Sequence, residues 1–334
     1  MNKQEWRNFK RNNIEQVWWW TTNEWVRELL NFPLIYTLYK FKWGKKIHRN
    51  LLKLRFFIKK KPIMPIMEYM VTTRCTLQCK HCNSFMPKFT DKTHIKLARF
   101  EDFKSDIDKV LKSVDCIEFI GFVGGEPMLC NDLAKMIDYA CKQRKIHQVF
   151  LATNGTILPD KNMIKVMKNK KFGVQLSDYS HVKNIKTGVT VKFNDYKDML
   201  KENNIICNSY QEKRDAVTWF TMPQIYKDEQ DGNKMRQQYY NCVQSCNVIC
   251  DGKILPCTAA PYIYNNLELT EKVQNEIIDL RKNISPKDLT KEIIEYFSRP
   301  NPAFCHYCHF ENIQYGLPCG EQVEEGDEIR IGKP

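Results

Sequence analysis

Three cysteines, Cys75, Cys79 and Cys82, stand in the spacing C-x3-C-x2-C, directly after an apolar, strand-like run that ends at Val71. Thiolates at this spacing bind three irons of a [4Fe-4S] cluster and leave the fourth iron without a protein ligand, whereas electron-transfer ferredoxins use four thiolates. A small molecule is therefore expected on the open iron. The alternative is a zinc knuckle, although zinc favours four ligands and C-x2-C pairs.

The cysteine triplet resembles the signature of the radical S-adenosylmethionine (radical SAM) family. That resemblance implies that the open iron of the cluster binds the amino and carboxylate groups of SAM. It also implies a role for His81, which directly precedes Cys82. His81 matches the family position whose ring packs near the adenine of SAM.

Three further segments end in glycine or polar residues where a strand is expected to end. Residues 117–123, 148–152 and 172–176 are the apolar runs, as in buried strands. The residues that follow them are Gly124, Gly125, Glu126 and Pro127, then Thr153 and Asn154, then Ser177 and Asp178. Each of these segments, taken singly, is also common in ordinary turns. The resemblance implies that the Gly-Gly-Glu-Pro segment holds the amino group of SAM and that the other two segments reach its ribose and carboxylate.

Helical patterns separate these predicted strands. Apolar residues recur at steps of three and four in residues 100–114 and 129–140, so each helix has one face to bury. Strands that alternate with amphipathic helices form parallel βαβ units, and active groups at their carboxyl ends are typical of a barrel. The resemblance implies an α/β fold with a partial (β/α)6 TIM-type barrel. Residues 205–208 and 216–222 are the candidates for its fifth and sixth strands.

A β-hairpin is predicted in the second cysteine-rich segment, residues 246–257. Its Asp251-Gly252 pair, with β-forming residues on both sides, is a strong hairpin signal. A turn at these two residues places Cys246 opposite Cys257. Cross-strand neighbours have Cβ atoms about 5 Å apart, so both thiols are expected to project from one face as half of a metal site.

The spacing from Cys242 through Gly252 to Cys257 resembles the SPASM or Twitch extension of radical SAM enzymes. This resemblance implies one auxiliary [4Fe-4S] cluster, and the C-x2-C pair farther on supplies more thiols. The candidate ligands are Cys242, Cys246, Cys257, Cys305 and Cys308. A structural zinc ribbon is the alternative. Small, buried, apolar roles are predicted for five other cysteines, Cys116, Cys130, Cys141, Cys207 and Cys250.

Four segments are predicted. Residues 1–62 form a basic, Trp-rich helical extension, 63–238 the barrel, 239–320 a small cysteine-rich hairpin and helix domain, and 321–334 an acidic tail. Residues 1–61 carry fifteen Lys or Arg against four Glu, and six of the seven tryptophans, Trp6, Trp18, Trp19, Trp20, Trp25 and Trp43. Tryptophan beside lysine is typical of a bilayer interface. The segment therefore indicates either docking on an anionic membrane surface or a helical extension packed on the barrel.

Fourteen cysteines and the absence of a signal-peptide pattern at the start predict a cytoplasmic protein with reduced thiols, peripheral at the inner face of the membrane if residues 1–61 dock there. No apolar run reaches the length of a spanning helix. The basic residues have no base-reading motif beside them, so nucleic acid is not expected as a partner.

The resemblance implies an enzyme that takes one electron from a flavodoxin or ferredoxin and cleaves SAM to a 5′-deoxyadenosyl radical, which abstracts hydrogen from the substrate. A carbohydrate, aminocyclitol or nucleotide-sugar substrate is favoured, because residues 1–61 lack the strand and glycine pattern of the peptide-recruiting domains found in relatives that modify peptides. Maturation of a ribosomally made precursor peptide is the alternative. A non-catalytic iron-sulfur or zinc protein is a further alternative, but it has no use for Gly-Gly-Glu-Pro.

Overall fold

The structure is a computed structural model, and it describes residues 1–17, 42–89, 97–182, 185, 187–209, 218–227, 231–242, 246–310 and 313–324. Four of the six N-terminal tryptophans, Trp18, Trp19, Trp20 and Trp25, lie outside the described residues. The strands are β1 (Met64–Thr72), β2 (Ile117–Gly124), β3 (Ile146–Thr153), β4 (Phe172–Leu176), β5 (Ile206–Ser209), β6 (Thr218–Phe220), β7 (Gln224–Ile225), β8 (Asn247–Cys250), β9 (Lys253–Leu255), β10 (Ile278–Asp279), β11 (Cys308–His309) and β12 (Tyr315–Pro318).

Helices precede, separate and follow these strands. They are α1 (Lys3–Phe9), α2 (Lys42–Lys59), α3 (Phe100–Ser113), α4 (Leu133–Lys142), α5 (Lys161–Met167), α6 (Phe193–Glu202), α7 (Gly232–Asn241), α8 (Ala260–Asn266), α9 (Glu271–Gln274) and α10 (Pro286–Ser298). A π-helix (Lys10–Glu15) continues α1, and 3-10 turns span Met86–Lys88, Pro127–Leu129 and Ala303–Tyr307. In the described part of the chain, every helix is too short or too polar to cross a bilayer.

An eight-stranded sheet in the order β10-β9-β8-β1-β2-β3-β4-β5 organises the molecule. Strands β1 to β5 pair in parallel, as the alternation of strands and helices predicts. All nine residues of β1 are buried, because the strand has neighbours on both edges and is covered on both faces. The partial barrel of an α/β protein is confirmed, as is the fifth strand expected at residues 205–208.

The sixth strand was predicted at residues 216–222, and this assignment is wrong. The strand in that region, β6, forms a separate two-stranded ladder with β12. Strand β8 takes the place beside β1 and runs parallel to it. Its four residues are all buried, the environment of an internal parallel strand, whereas the side chain of Trp219 in β6 remains half-exposed.

The β8–β9 hairpin has the register that its turn residues indicate. Val248 lies opposite Leu255 and Cys250 lies opposite Lys253, so Asp251 and Gly252 form the turn. Both turn residues adopt positive φ, 47° and 72°, the conformation that a two-residue hairpin turn needs. Because β8 also pairs with β1, one sheet contains strands from both the predicted barrel, residues 63–238, and the predicted cysteine-rich domain, residues 239–320.

The described part of the N-terminal segment packs on the barrel. Phe9 and Ile14 are buried in the main apolar core, and Trp6 stacks between Phe9 and Phe56 of α2. The amide of Asn8 donates to the carbonyl of Ser298 at 2.9 Å, which fixes α1 beside α10. Packing of helices on the barrel, one of the two interpretations of residues 1–61, therefore holds for these residues.

Candidate active site

The loop after β1 gathers Cys75, Cys79 and Cys82 at the carboxyl end of the parallel sheet. A negative charge on Cys82 would raise the pKa of both Cys75 and Cys79, so the three cysteines lie within electrostatic range of one another. N–H groups point at each sulfur. The backbone N–H of Leu77 and the side-chain amide of Asn154 donate to Cys75 Sγ at 3.5 and 3.6 Å. Backbone N–H groups of residues 84–86, in the turn after Cys82, favour negative charge on its sulfur and oppose the effect of burial on its pKa.

Burial is the main reason that the pKa of all three thiols is raised, to about 12 for Cys75. Without a cation the sulfurs therefore stay protonated. The donors around them suit negative charge, and a bound metal displaces the thiol protons. One buried and two half-buried cysteines, with N–H groups directed at their sulfurs, thus fit an iron-sulfur cluster, in which charge is spread over the sulfurs.

Gly124 and Gly125 bring the loop after β2 against the loop that carries the cysteines. The amide of Gly125 donates to the carbonyl of Thr72, and that of Glu126 donates to the carbonyl of Arg74, both at 2.9 Å. A Cβ on Gly124 would lie 2.2 Å from the Thr72 oxygen, and one on Gly125 would lie 2.1 Å from the Arg74 oxygen. Both positions therefore need glycine for contact with the cysteine loop, whatever ligand lies beyond.

Glu126 is fully buried and joins two of the predicted segments. Its carboxylate accepts hydrogen bonds from Thr153 Oγ1 at 2.8 Å, from the backbone N–H of Asn154 at 2.9 Å and from that of Met128 at 3.0 Å. A carboxylate has about four acceptor positions, so one remains for a ligand cation. Burial raises the pKa of Glu126 to about 7, although these hydrogen bonds oppose the shift. Pro127 is buried and starts the next 3-10 turn.

The other predicted residues lie around the same end of the sheet. The backbone of Ser177 donates to the Thr153 carbonyl at 3.0 Å, so these two segments are adjacent. Asp178 accepts a hydrogen bond from the backbone of Ser180 at 3.0 Å and thereby closes a local turn. His81 lines a cavity of about 340 Å³, together with Cys79, Cys82 and Lys88. The cavity reaches two of the three cysteines from the side of β6 and β12.

Residues 321–323 pack directly on the cysteine loop. The N–H of Lys80 donates to the carbonyl of Glu321 at 2.7 Å, and that of Val323 donates to the carbonyl of Gln78 at 2.8 Å. Gln322 is buried, and its side-chain amide donates to the sulfur of Cys79. Residues 321–334 are predicted as an acidic tail, yet residues 321–323 cover the cysteine loop; residues 325–334 lie outside the described residues.

The second cysteine group assembles from distant parts of the chain. Cys242 ends α7, Cys257 follows β9, and Cys305 and Cys308 belong to the 3-10 turn and to β11. These four cysteines lie within electrostatic range of one another, since a negative charge on one would raise the pKa of others in the group. Burial raises the pKa of Cys257 to about 12. Every set of three among them includes a pair of sulfurs more than 4.8 Å apart.

Cys246, the fifth candidate in that group, faces a different environment. It is buried with Ile66, Phe119 and Phe150, an apolar cluster on the inner face of the sheet. Its thiol lies within electrostatic range of Cys242 and Cys257, but burial and Glu68 are the two largest causes of its raised pKa. The structure therefore places Cys246 on the edge of the group, towards the interior of the barrel.

Glu68 is a residue that sequence reasoning missed. It lies in β1 on the same face as Ile66, and its carboxylate is buried inside the barrel near Cys246. Among the described residues, one of its oxygens has no hydrogen-bond partner. Burial alone raises its pKa to about 7. A glutamate inside an otherwise apolar strand was the available signal.

Residues 69–202 match the profile of the radical SAM superfamily. This part of the chain is a radical SAM domain. Domains of this superfamily use a [4Fe-4S] cluster and SAM. Over 102 residues the chain is 34% identical to the GTP 3′,8-cyclase of Clostridium botulinum, and this alignment covers 29% of each chain. Over 88 residues it is 31% identical to the S-adenosylmethionine-dependent nucleotide dehydratase of Selenomonas ruminantium, covering 26% of this chain and 29% of the relative.

A solved structure, that of BtrN in complex with AdoMet and 2-DOIA, aligns over 78% of this chain and 97% of BtrN. The sequence identity is 14% and the TM-score is 0.43. The aligned part of this chain spans less than a third of the length of either curated relative.

Proposed function

We propose that Cys75, Cys79 and Cys82 hold the [4Fe-4S] cluster at which this enzyme cleaves SAM. The observation that carries the proposal is the convergence of three cysteines, one buried and two half-buried, with N–H groups directed at their sulfurs, next to the buried Glu126 carboxylate. When bound, cluster and SAM supply a 5′-deoxyadenosyl radical that takes a hydrogen atom from a substrate carbon. The chain's own residues position both groups and exclude water.

The hydrogen-bond network around Glu126 supports the proposed SAM-binding roles. Glu126 has an acceptor position left for the SAM ammonium, and Thr153 and Asn154 hold its carboxylate in place. Asn154 also donates to Cys75 and to Thr76 Oγ1, so it links the SAM side of the site to the cluster side. Gly124, Gly125 and Pro127 set the path of this loop. Ser177 and Asp178 are proposed for the ribose and carboxylate of SAM, and His81 for its adenine.

An auxiliary [4Fe-4S] cluster is proposed at Cys242, Cys257, Cys305 and Cys308. The spacing of the sulfurs supports this choice over zinc. Four thiolates about 2.3 Å from one zinc ion lie roughly 3.8 Å apart in a tetrahedron. Every set of three of these four sulfurs contains at least one pair more than 4.8 Å apart. Cys246 is left out of the four because its side chain joins the apolar cluster inside the barrel.

The substrate is proposed to be a carbohydrate, aminocyclitol or nucleotide sugar, oxidised, dehydrated or epimerised after hydrogen abstraction. Polar side chains on the inner face of the sheet support a hydroxyl-rich ligand. Glu68 lies on β1, while Gln175 on β4 lies opposite Asn208 on β5. Amides and carboxylates bind vicinal hydroxyls through paired donors and acceptors. A precursor peptide is the alternative substrate, and a flavodoxin or ferredoxin is the proposed reductant.

Docking on an anionic membrane surface is proposed for helix α2. One face of the helix is buried through Leu52 and Phe56. Its opposite face exposes an apolar stripe at helical spacing, with half or more of each side chain accessible: Ile47, Leu51, Leu54 and Ile58. Lysines border the stripe, which is the composition of an interfacial helix.

The decisive experiment is anaerobic reconstitution followed by an assay for 5′-deoxyadenosine. The wild-type protein is expected to release 5′-deoxyadenosine from SAM under a strong reductant. The Cys75→Ala, Cys79→Ala, Cys82→Ala triple variant is expected to release none while keeping the auxiliary iron. Cys130→Ala, at a buried cysteine outside both groups, is the matched control. SAM cleavage that persists in the triple variant would refute the proposal.

A further inference from the structure

A third group of metal-ligating side chains lies at the opposite end of the sheet from the radical SAM site. Cys116 directly precedes β2, Glu118 is the second residue of β2, and His147 is the second residue of β3. Ile117 is paired with Ile146, so Glu118 and His147 are neighbours at the amino ends of parallel strands. The donor atoms of the three side chains all lie within 4.8 Å of one another.

The contacts within this group are direct. His147 Nδ1 lies 2.7 Å from Glu118 Oε2, and Cys116 Sγ lies 3.5 Å from Glu118 Oε1. Cys116 is buried, and Glu118 and His147 are half-buried, so the sulfur lies beneath a partly accessible carboxylate and imidazole. Sulfur, nitrogen and carboxylate oxygen are the donor atoms that zinc binds in proteins, usually in a tetrahedral arrangement.

We propose that Cys116, Glu118 and His147 form a zinc-binding site, independent of both iron-sulfur clusters. The site joins the amino ends of β2 and β3 beneath α2. Its fourth position is open to water or to His48 of α2, whose ring lies within electrostatic range of Glu118. Burial lowers the pKa of His48, so its ring is neutral at physiological pH, as a metal ligand requires.

The charges around the group balance when zinc is present. A Cys116 thiolate and the Glu118 carboxylate together carry two negative charges, which one Zn²⁺ ion neutralises. The Arg55 guanidinium donates to Cys116 Sγ at 3.3 Å and also pairs with Asp115, so its charge is matched separately. Hydrogen bonds of this kind to a liganding sulfur are typical of the residues that surround metal sites. Without a metal ion, burial and Glu118 raise the pKa of Cys116, which keeps its proton on the sulfur.

The test uses full-length protein with its iron-sulfur clusters reconstituted, so that the cluster cysteines are occupied. One equivalent of zinc is added, the protein is passed over a chelating resin, and bound zinc is measured by mass spectrometry and X-ray absorption. About one zinc per chain is expected, with one sulfur neighbour at about 2.3 Å and nitrogen or oxygen neighbours at about 2.0–2.1 Å. Cys116→Ser and His147→Ala are each expected to lose this zinc and to keep the iron.

Cys141→Ser is the matched control, because Cys141 is also buried against the sheet but lies outside the group. It is expected to keep both metals. Circular dichroism of each variant, compared with the wild type, checks folding, and Glu118→Gln provides a third, nearly isosteric change. Protein without zinc after the resin would overturn the proposal. So would zinc that survives in Cys116→Ser and His147→Ala, or a zinc spectrum with two or more sulfur neighbours, which belongs to the cluster cysteines.

Discussion

Gln322 donates a hydrogen bond from its side-chain amide to the sulfur of Cys79 at 3.6 Å, across 243 residues of sequence. The backbone of Gln78 in turn donates to the side-chain oxygen of Gln322 at 2.8 Å. A segment near the carboxyl end of the chain therefore covers the proposed cluster loop and supplies a donor to one of its sulfurs. Hydrogen bonds to cluster sulfurs and exclusion of solvent are two of the factors that set the reduction potential of a cluster.

Gln322→Met is therefore expected to lower the reduction potential of the first cluster, because a donor that stabilises the added electron is lost. The change is measured by spectroelectrochemical titration in a background that holds only the first cluster. This background carries the substitutions Cys242→Ala, Cys257→Ala, Cys305→Ala and Cys308→Ala. Gln314→Met is the control, since Gln314 lines the neighbouring cavity and its backbone N–H donates to Thr221 Oγ1 rather than to a cluster sulfur. An unchanged potential in Gln322→Met would show that this hydrogen bond does not tune the cluster.

Glu126→Gln is expected to weaken SAM binding about tenfold to a hundredfold. A hydrogen bond to a charged group contributes roughly 1.5 to 3 kcal/mol, and 1.4 kcal/mol corresponds to a factor of ten in affinity. Iron content should not change, because Glu126 contacts Thr153, Asn154 and Met128 rather than a cysteine. Equilibrium binding of SAM to reconstituted protein measures the effect. Glu101→Gln, at an exposed position of α3, should bind SAM like the wild type; equal affinity in Glu126→Gln would exclude the proposed role.

Iron counting separates the two proposed clusters. Reconstituted wild-type protein is expected to hold about eight irons, and the quadruple variant of Cys242, Cys257, Cys305 and Cys308 about four, at four irons per cluster. Cys250→Ala is the control within the same hairpin, because Cys250 is buried in the apolar core and is expected to leave the count at eight. Zinc in place of the second set of irons, after anaerobic purification, would contradict the assignment.

Local signals account for the features that the sequence predicted. Strand β4 matches the predicted run at residues 172–176, and the Asp251-Gly252 turn sets the register of its hairpin, because both depend on neighbouring residues. The contact of Gln322 with Cys79 and the pairing of β8 with β1 join segments far apart in sequence. Neither of these two long-range contacts produces a periodic pattern or a motif spacing that can be recognised in the sequence. Glu68 did leave a local signal, a glutamate inside an apolar strand, but the barrel around it decides that one of its oxygens is buried without a hydrogen-bond partner among the described residues.

Glu68 gives a pH dependence whose sign follows from its raised pKa. Burial raises the pKa from the ordinary 4.5 to about 7, so between these values the folded protein holds a proton that the unfolded chain releases. Stability is therefore lost as the pH rises through this window. At 1.36 kcal/mol per pKa unit, the difference of 7 − 4.5 sets an upper bound of roughly 3 kcal/mol above pH 7.

Glu68→Gln is accordingly expected to raise the unfolding temperature at pH 8 and to change it little at pH 4.5. Anaerobic thermal unfolding at both pH values measures this. Glu271→Gln, at an exposed position, is the control and should follow the wild-type pH dependence. Equal pH dependence in Glu68→Gln and the wild type would mean that this carboxyl group does not carry the raised pKa in solution.

Binding of α2 to anionic vesicles is the last prediction. Because Phe9 and Ile14 are part of the core, deleting residues 1–61 would disturb the fold, and point changes on the exposed stripe are the better test. Leu51→Ser with Leu54→Ser is expected to abolish co-sedimentation with vesicles that contain phosphatidylserine. High salt should release the wild-type protein, because attraction of about 1 kcal/mol per surface Lys or Arg is screened within a Debye length. Thr290→Ser on α10 is the control. Wild-type protein that sediments equally little with anionic and neutral vesicles would leave α2 with a packing role alone.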